Sequence, residues 1–457
     1  MSLNSRQTDR QSDSEAQHRR MLQTPIPRLV VRMSLPTVAS QLITVVYNTA
    51  DTYFVSHINT SASAAVGVVF SLMSIIQAFG FGFGMGANSL ISRKLGEKCD
   101  EDAYRYGNSA LFAAAVIGVL LLVGGLLSLK GLMHILGSTP TILPYACDYA
   151  RYILIGAPVM CCSFVLNNIL RAEGNPALSM RGLCVGGVLN VGLDPLLIFT
   201  FHMGIGGAAL ATILSQTVSF LILLSAFLRH KSIVKLGPRW ISRKAADYGE
   251  ICKFGLPTIF RQGLGSLSTA LLNISAGAYG DAAIAALTIS NKVYMLIRNI
   301  VLGVGQGFQP VAGYNFGAGD RKRVKKAFIF TSGLGTVLCC CAAAAIFFTA
   351  GPIIGWFRTD AEVVRIGTAA LYYGCAVMPF MAYSTYVNQL TQSLGFSAQA
   401  TFLASCQQGI FFIPLVLTLP RLIGLTGIQT VQPAADFLTF LISIPFQLSF
   451  FRKVLDR

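Results

Sequence analysis

Along its apolar and polar positions, the 457-residue chain is a succession of long uncharged stretches divided by short polar ones. About 20 apolar residues, in a helix rising about 1.5 Å per residue, cross a hydrocarbon layer about 30 Å thick. Twelve stretches reach that length, at 34–56, 62–90, 107–129, 144–170, 177–200, 205–228, 254–279, 283–311, 327–350, 363–390, 398–419 and 428–450. The first twenty residues, MSLNSRQTDRQSDSEAQHRR, hold no apolar core of the kind a signal peptide needs and predict a disordered cytoplasmic tail.

The stretches form two sets of six, because the halves of the chain align at a constant offset of 221 residues over more than 170 positions. Leu35-Pro36-Thr37 returns as Leu256-Pro257-Thr258, and Gly82, Gly84 and Gly86 return as Gly303, Gly305 and Gly307. Pro158, Asn167 and Gly174 return as Pro379, Asn388 and Gly395. Six spans per half start both halves on the same side, so the repeat is parallel, an arrangement that commonly places a substrate site between two rocking lobes. The expected fold is an all-α polytopic membrane protein with twelve transmembrane helices in two six-helix lobes related by a parallel internal repeat. Its expected parts are a tail (1–33), an N-lobe (34–228), a basic linker (229–253), a C-lobe (254–450) and a second tail (451–457). The run FGFGMG inside the second span is followed by neither strand nor phosphate-binding lysine, and reads as close helix packing or bending.

Composition agrees: 53% of residues are hydrophobic and 12% charged, about half the charged fraction of a soluble domain. The net charge of +16, from 35 basic and 19 acidic residues, is explained by topology. Of the 35 basic residues, 27 fall in the tails and alternate loops of one side, whereas the opposite loops hold only Lys130, Arg358, Arg365 and Arg421. By the positive-inside rule both termini are expected in the cytoplasm, and no nucleic-acid partner is implied. The eleven cysteines lie mostly in apolar runs such as Cys339-Cys340-Cys341 and read as small hydrophobes. His18, His57, His134, His202 and His230 form no metal-binding box, which disfavours a membrane-embedded enzyme.

Candidate chemistry emerges where the halves differ. Asp51 corresponds to Leu272, Asp194 to Leu415, Asn190 to Phe411 and Thr212 to Pro433, so one oxygen-rich set exists only in the first half. Asn190 and Asp194, four apart, share a helical face, and Thr44, Tyr47, Asn48 and Asp51 form a polar stripe on the first span. At about 1.5 Å per residue, Asp51, Asp194 and Thr212 are expected roughly 7 to 11 Å below the outer boundary, so that a shared layer is geometrically possible. Two carboxylates, an amide oxygen and a hydroxyl suit a small hard cation such as Na⁺, and mutual repulsion in a dry site suits reversible protonation equally. Structural readings stand beside these: Asp194 before Pro195 as a helix N-cap, Asp51 snorkelling outward, Thr212 bonded to its own backbone. In the second half Lys292 and Asp436 are expected at matching depth as an ion pair, with Arg298 nearby, while Arg261 is expected near a span end and solvated.

With these features in hand, the chain resembles the multidrug and toxic compound extrusion family, close to its bacterial branch. The resemblance is carried by YNTADTYFVS, GANSLISRKLGE, RAEGNPALSMR, NVGLDPLLIF, GIGGAALAT and QGFQPVAGYNFGAGDRKRV, in that order, and extends from about residue 28 to the end. It implies secondary active export of amphipathic, often cationic compounds in exchange for H⁺ or Na⁺, with no cofactor beyond the coupling ion. It also implies a multi-pass monomer in the bacterial plasma membrane. The family's cation site maps onto Asp51, Asn190, Asp194 and Thr212. Tyr47, Asn48, Asn167, Lys292, Arg298, Asn388 and Asp436 are further candidates for substrate or gating contacts. The competing class is a lipid-linked precursor or polysaccharide flippase of similar helical plan, which would need a cationic cavity for pyrophosphate; Lys292 and Arg298 are the basic candidates for one.

Overall fold

The computed structural model describes residues 15–455, and among them every regular element is helical. Twelve long helices follow in order: α1 (Ile26–Ser56), α2 (Thr60–Gly96), α3 (Asp100–Leu127), α4 (Leu143–Ala172), α5 (Pro176–Pro195) and α6 (Gly204–Leu228). They continue as α7 (Ala245–Gly277), α8 (Asp281–Gly317), α9 (Arg321–Phe357), α10 (Ala361–Ser393), α11 (Ser397–Ile423) and α12 (Leu425–Phe450). Among the described residues ten are long and apolar enough to cross a membrane; α7 and α8 fall short because polar residues from Arg261 to Ser275 and from Asn291 to Gln309 are spread along them. The protein is an all-α polytopic membrane protein, six helices to each repeat.

Several helices outrun the apolar stretches that predict them. α2 and α8 end at Gly96 and Gly317 where 90 and 311 were expected, and α1 and α7 begin at Ile26 and Ala245 where 34 and 254 were expected. A helix satisfies its own backbone in water as in lipid, so its end is set by local capping rather than by the hydrocarbon boundary. Residues 15–23 are also helical, which corrects the disorder expected as far as Arg20. Tertiary contacts order this polar segment: Met21 is fully buried, and the Gln17 side chain donates to the carbonyls of Glu173 and Gly174, each at 3.0 Å. The part of the expected tail at 1–14, and the last two residues of the second tail, lie outside the described residues.

The chain divides into two compact units. The first comprises residues through Thr24, Ala39–Ile259 and Gly313–Gly319; the second comprises Pro25–Val38, Phe260–Ala312 and the chain from Asp320 onward. Thus α1 and α7 each change unit partway along. The glycine ladder explains why. In the first unit a Cβ on Gly86 would lie 2.2 Å from the Ile251 carbonyl oxygen, and one on Gly255 would lie 2.3 Å from the Gly82 oxygen, so α2 and the start of α7 touch backbone to backbone. In the second unit a Cβ on Gly307 would lie 2.5 Å from Ser34 Cα, and one on Gly303 would lie 2.7 Å from Val38 Cα. At the offset of 221 these are the same contact made twice, the second helix of one half against the beginning of the first helix of the other. Gly96 and Gly317, also equivalent, press on the Tyr314 and Arg93 carbonyls, where an added Cβ would lie 2.1 Å from the oxygen in each case.

The linker is fastened to the first unit. The Glu173 carboxylate, fully buried after the end of α4, accepts from Ser232 Oγ (2.6 Å), Val234 N (2.8 Å) and Ile233 N (3.1 Å). Burial pushes its carboxyl up from 4.5 to about 7, against the pull of those three donors. Between those values the folded protein keeps the proton and the unfolded chain has lost it, so this group's stabilisation falls as pH rises from about 4.5 to 7 and levels off above. Thermal unfolding of the wild type and Glu173→Gln should therefore diverge across that interval, the variant losing less stability with rising pH. Parallel profiles would refute the assignment.

Candidate cation site and its counterpart in the second half

The first unit assembles the four residues expected to bind a cation. On α5, Asn190 and Asp194 share a face, and Asn190 Nδ2 makes long hydrogen bonds to Asp194 Oδ1 and to Thr212 Oγ1 on α6, both 3.4 Å. Asp51 on α1 joins through Tyr149 of α4, whose hydroxyl donates to Asp51 Oδ2 at 3.3 Å. Tyr149 is fully buried and also lies against Thr212 and within electrostatic reach of Asp194, as Asp51 does. Asp194 has no exposed surface, and α5 continues past it and Pro195 into a π-helical turn (Leu196–Thr200), so Asp194 lies within a helical run and is not an N-cap.

Three buried acceptors of this group have no hydrogen-bond donor among the described residues: Asp51 Oδ1, Asn190 Oδ1 and Asp194 Oδ2. Leaving a buried acceptor unmet costs about 1–3 kcal/mol, more if it is charged. The residues present therefore fit a small cation, which would take these oxygens as ligands, and fit a proton, which would turn a carboxylate oxygen into a donor. Beside them is a narrow cleft lined by Tyr47, Asn190, Thr212, Ser215, Gln216 and Ser219 and by Gly186 and Gly187. Tyr149, Ser215, Gln216 and Ser219 are absent from the residues chosen by sequence. A signal existed for each. Tyr149 corresponds to Ala370, and Thr212, Ser215, Gln216 and Ser219 repeat the i, i+3, i+4, i+7 stripe already visible on α1.

The remaining candidates lie elsewhere. Among the described residues no hydrogen bond brings the Asn48 side chain to the cluster, although its carbonyl accepts from Thr52 Oγ1. Asn167 Nδ2 donates to the Ser179 carbonyl (3.3 Å) and Asn388 Nδ2 to the Ala400 carbonyl (2.5 Å), the same tie at equivalent positions of the two halves. The ion pair expected between Lys292 and Asp436 does not form. Lys292 is exposed on α8, whereas Asp436 is fully buried and accepts from Tyr294 Oη, Gln407 Nε2 and Gln432 Nε2. Equal depth was no guide to azimuth: Tyr294, two residues from Lys292, occupies the face that meets Asp436. Arg261 is not near a helix end but at the middle of α7, and donates to Asn388 Oδ1 at 3.4 Å.

At the repeat positions of the cleft's Gly186, Gly187 and Ser215 stand Gln407, Gln408 and Asp436. The second unit fills with amides and an acid the place where the first leaves space.

A twelve-helix membrane protein with a duplicated six-helix plan and a pair of neighbouring carboxylates on the helices of its first half has the form of a membrane transporter. A sequence model of the MatE family matches residues 36–196 and again 257–418, two copies at the offset already noted. The chain belongs to the MatE family of membrane transporters. It is similar to the multidrug export protein MepA of Staphylococcus aureus, 28% identical over 408 residues and covering 89% of this chain and 90% of that protein. The MepA of Staphylococcus saprophyticus is 27% identical over 400 residues, covering 87% and 88%. Among solved structures, an outward-facing conformation of a multidrug resistance MATE family transporter superposes with a TM-score of 0.90 at 23% identity, over 96% of this chain and 98% of that one. A MATE crystal structure in the straight conformation gives 0.91 at 23% identity, over 96% and 99%.

Proposed function

We propose that the protein exports amphipathic, often cationic organic compounds in exchange for H⁺ or Na⁺, by alternating access of its two lobes. The observation that carries this reading is the trio of buried oxygens without donors on Asp51, Asn190 and Asp194, found at positions where the other half has Leu272, Phe411 and Leu415. The multidrug export named for the staphylococcal relatives supports the cargo class. Entry of a proton or cation relieves the two carboxylates' repulsion and satisfies the unmet oxygens. That change at the α1, α5 and α6 contact is the event by which the ion favours one state over the other. One charge falling through 100 mV contributes about 2.3 kcal/mol, enough for more than tenfold accumulation of a neutral cargo. The 27 basic residues on their side support a cytoplasmic position for both termini.

The test is efflux of a fluorescent cationic dye from proteoliposomes with Na⁺ and pH gradients imposed separately. One of the two gradients, directed inward, should drive dye outward. Dye movement indifferent to both would overturn the antiport reading.

A further inference from the structure

The charges within the second half's helices take no part in the cation site and are mostly of the opposite sign. Arg261 is the seventeenth of 33 residues in α7, its midpoint, and Arg298 the eighteenth of 37 in α8, one residue before its midpoint. An ionised side chain halfway along a transmembrane helix is costly against lipid and persists facing a partner or a water-filled cavity. Arg298 is only partly covered, and with the Gln408 amide turned so that its oxygen faces the guanidinium, as hydrogen bonding requires, both Nη donors reach that oxygen, at 2.7 and 2.9 Å. A neutral amide fixes the guanidinium fork without cancelling its charge. Asp436 is within electrostatic reach, but its two oxygens are occupied by Tyr294, Gln407 and Gln432. Among the described residues neither Arg298 nor Lys292 has a carboxylate within ion-pair distance. Arg261 is close enough to Arg298 for the two charges to repel. A guanidinium fork held by the Gln408 amide, with a second guanidinium near it on α7, complements an anion.

We infer that Arg261 and Arg298 form a receiving site, within the second unit's own helices, for an anionic group on the transported molecule, a carboxylate in the simplest case. The inference rests on the export reading and narrows it: cargo using this site is a zwitterion or an organic anion with an apolar body. Exposed Lys292, six residues before Arg298, strengthens the same positive field. The site belongs to the second half alone, because Gln408 stands where the first half has Gly187, and Arg298 and Arg261 stand where it has Gln77 and Ser40.

A phospholipid phosphate offers the same chemistry, so the test separates the two. The purified protein is placed in phosphatidylcholine nanodiscs, and fluorescence polarisation reports binding of a xanthene dye bearing a free carboxylate and of its methyl ester. Arg298→Gln should weaken the carboxylate dye about tenfold or more, as loss of a charge-assisted fork requires, and leave the ester within about twofold. Arg298→Lys, which keeps the charge without the fork, should fall between. Retained ester binding shows that the variants are folded. Equal losses for the two dyes, or no tighter binding of the carboxylate dye than of the ester by the wild type, would overturn the site. So would a carboxylate preference abolished by phosphatidylglycerol in place of phosphatidylcholine, which would assign the site to lipid. Selective binding of the carboxylate dye without gradient-driven transport would uphold the site and refute export.

Discussion

Replacing Asp194 with leucine, the residue at the equivalent position of the other half, should reduce gradient-driven efflux to background while leaving the protein folded and more heat-resistant. Asp194 has no exposed surface, and one of its carboxylate oxygens has no donor among the described residues. Such a group destabilises the resting protein by about 1–3 kcal/mol or more, and an apolar side chain of similar volume removes that cost. The second unit shows that the helix tolerates leucine, since Leu415 packs there beside a core of Phe412, Val416, Val431 and Ala435. Opposite movements of stability and transport are the signature to look for. Asp51→Leu should act in the same direction with a smaller gain in stability, because Asp51 is only half-buried and already accepts from Tyr149. Thermal unfolding and dye efflux measured on the same preparations decide the matter. Unimpaired transport in both variants would remove the carboxylates from coupling, and a fall in stability would show that they serve the fold.

Alanine at Gly86 or Gly317 should cost at least as much activity by a different route. The added methyl would meet a carbonyl oxygen at 2.2 Å in the first case and 2.1 Å in the second, and neither neighbour is a side chain that can swing aside. Backbones must part, and overpacking of this kind typically costs about 1–3 kcal/mol, with the loss of every contact that depended on the close approach. Gly263 and Gly333 are the controls: each is helical and has nothing within 4 Å of an added Cβ. Alanine there should be neutral or should stabilise by up to about 1 kcal/mol through helix propensity. Monodispersity and thermal unfolding of the four variants should separate the pairs; four indistinguishable proteins would mean that the helices have room to move apart.

Much of this arrangement was legible before any coordinates. Length and scarcity of charge located twelve helices, the fixed offset located the duplication, and the polar exceptions to the duplication located Asp51, Asn190, Asp194 and Thr212. These signals are linear: they depend on how far along the chain a residue lies and on what stands one repeat away. What escaped depends on azimuth or on tertiary contact. Lys292 and Asp436 matched in depth, yet Tyr294 holds the face that Lys292 would have needed. Arg261 was misplaced because α7 starts nine residues earlier than its apolar stretch, at Ala245 rather than 254. Residues 15–20 looked disordered because their composition is polar, whereas buried Met21 and the bonds made by Gln17 order them. Tyr149 is one aromatic among many on membrane helices, and only its repeat partner, Ala370, marks it as an exception of the same kind as the aspartates.

The seating of Pro25–Val38 in the second unit also sets a clock on biogenesis. The backbone that Ser34 and Val38 press against, at Gly307 and Gly303, is made some 270 residues later in the chain. At about 5–20 residues per second, the start of α1 waits roughly 13 to 54 seconds in the membrane before its partner exists. During that interval it is an unmated helix end open to wrong partners, so synthesis slowed after the first half should lower the yield of correctly assembled protein more than the same delay placed after α8.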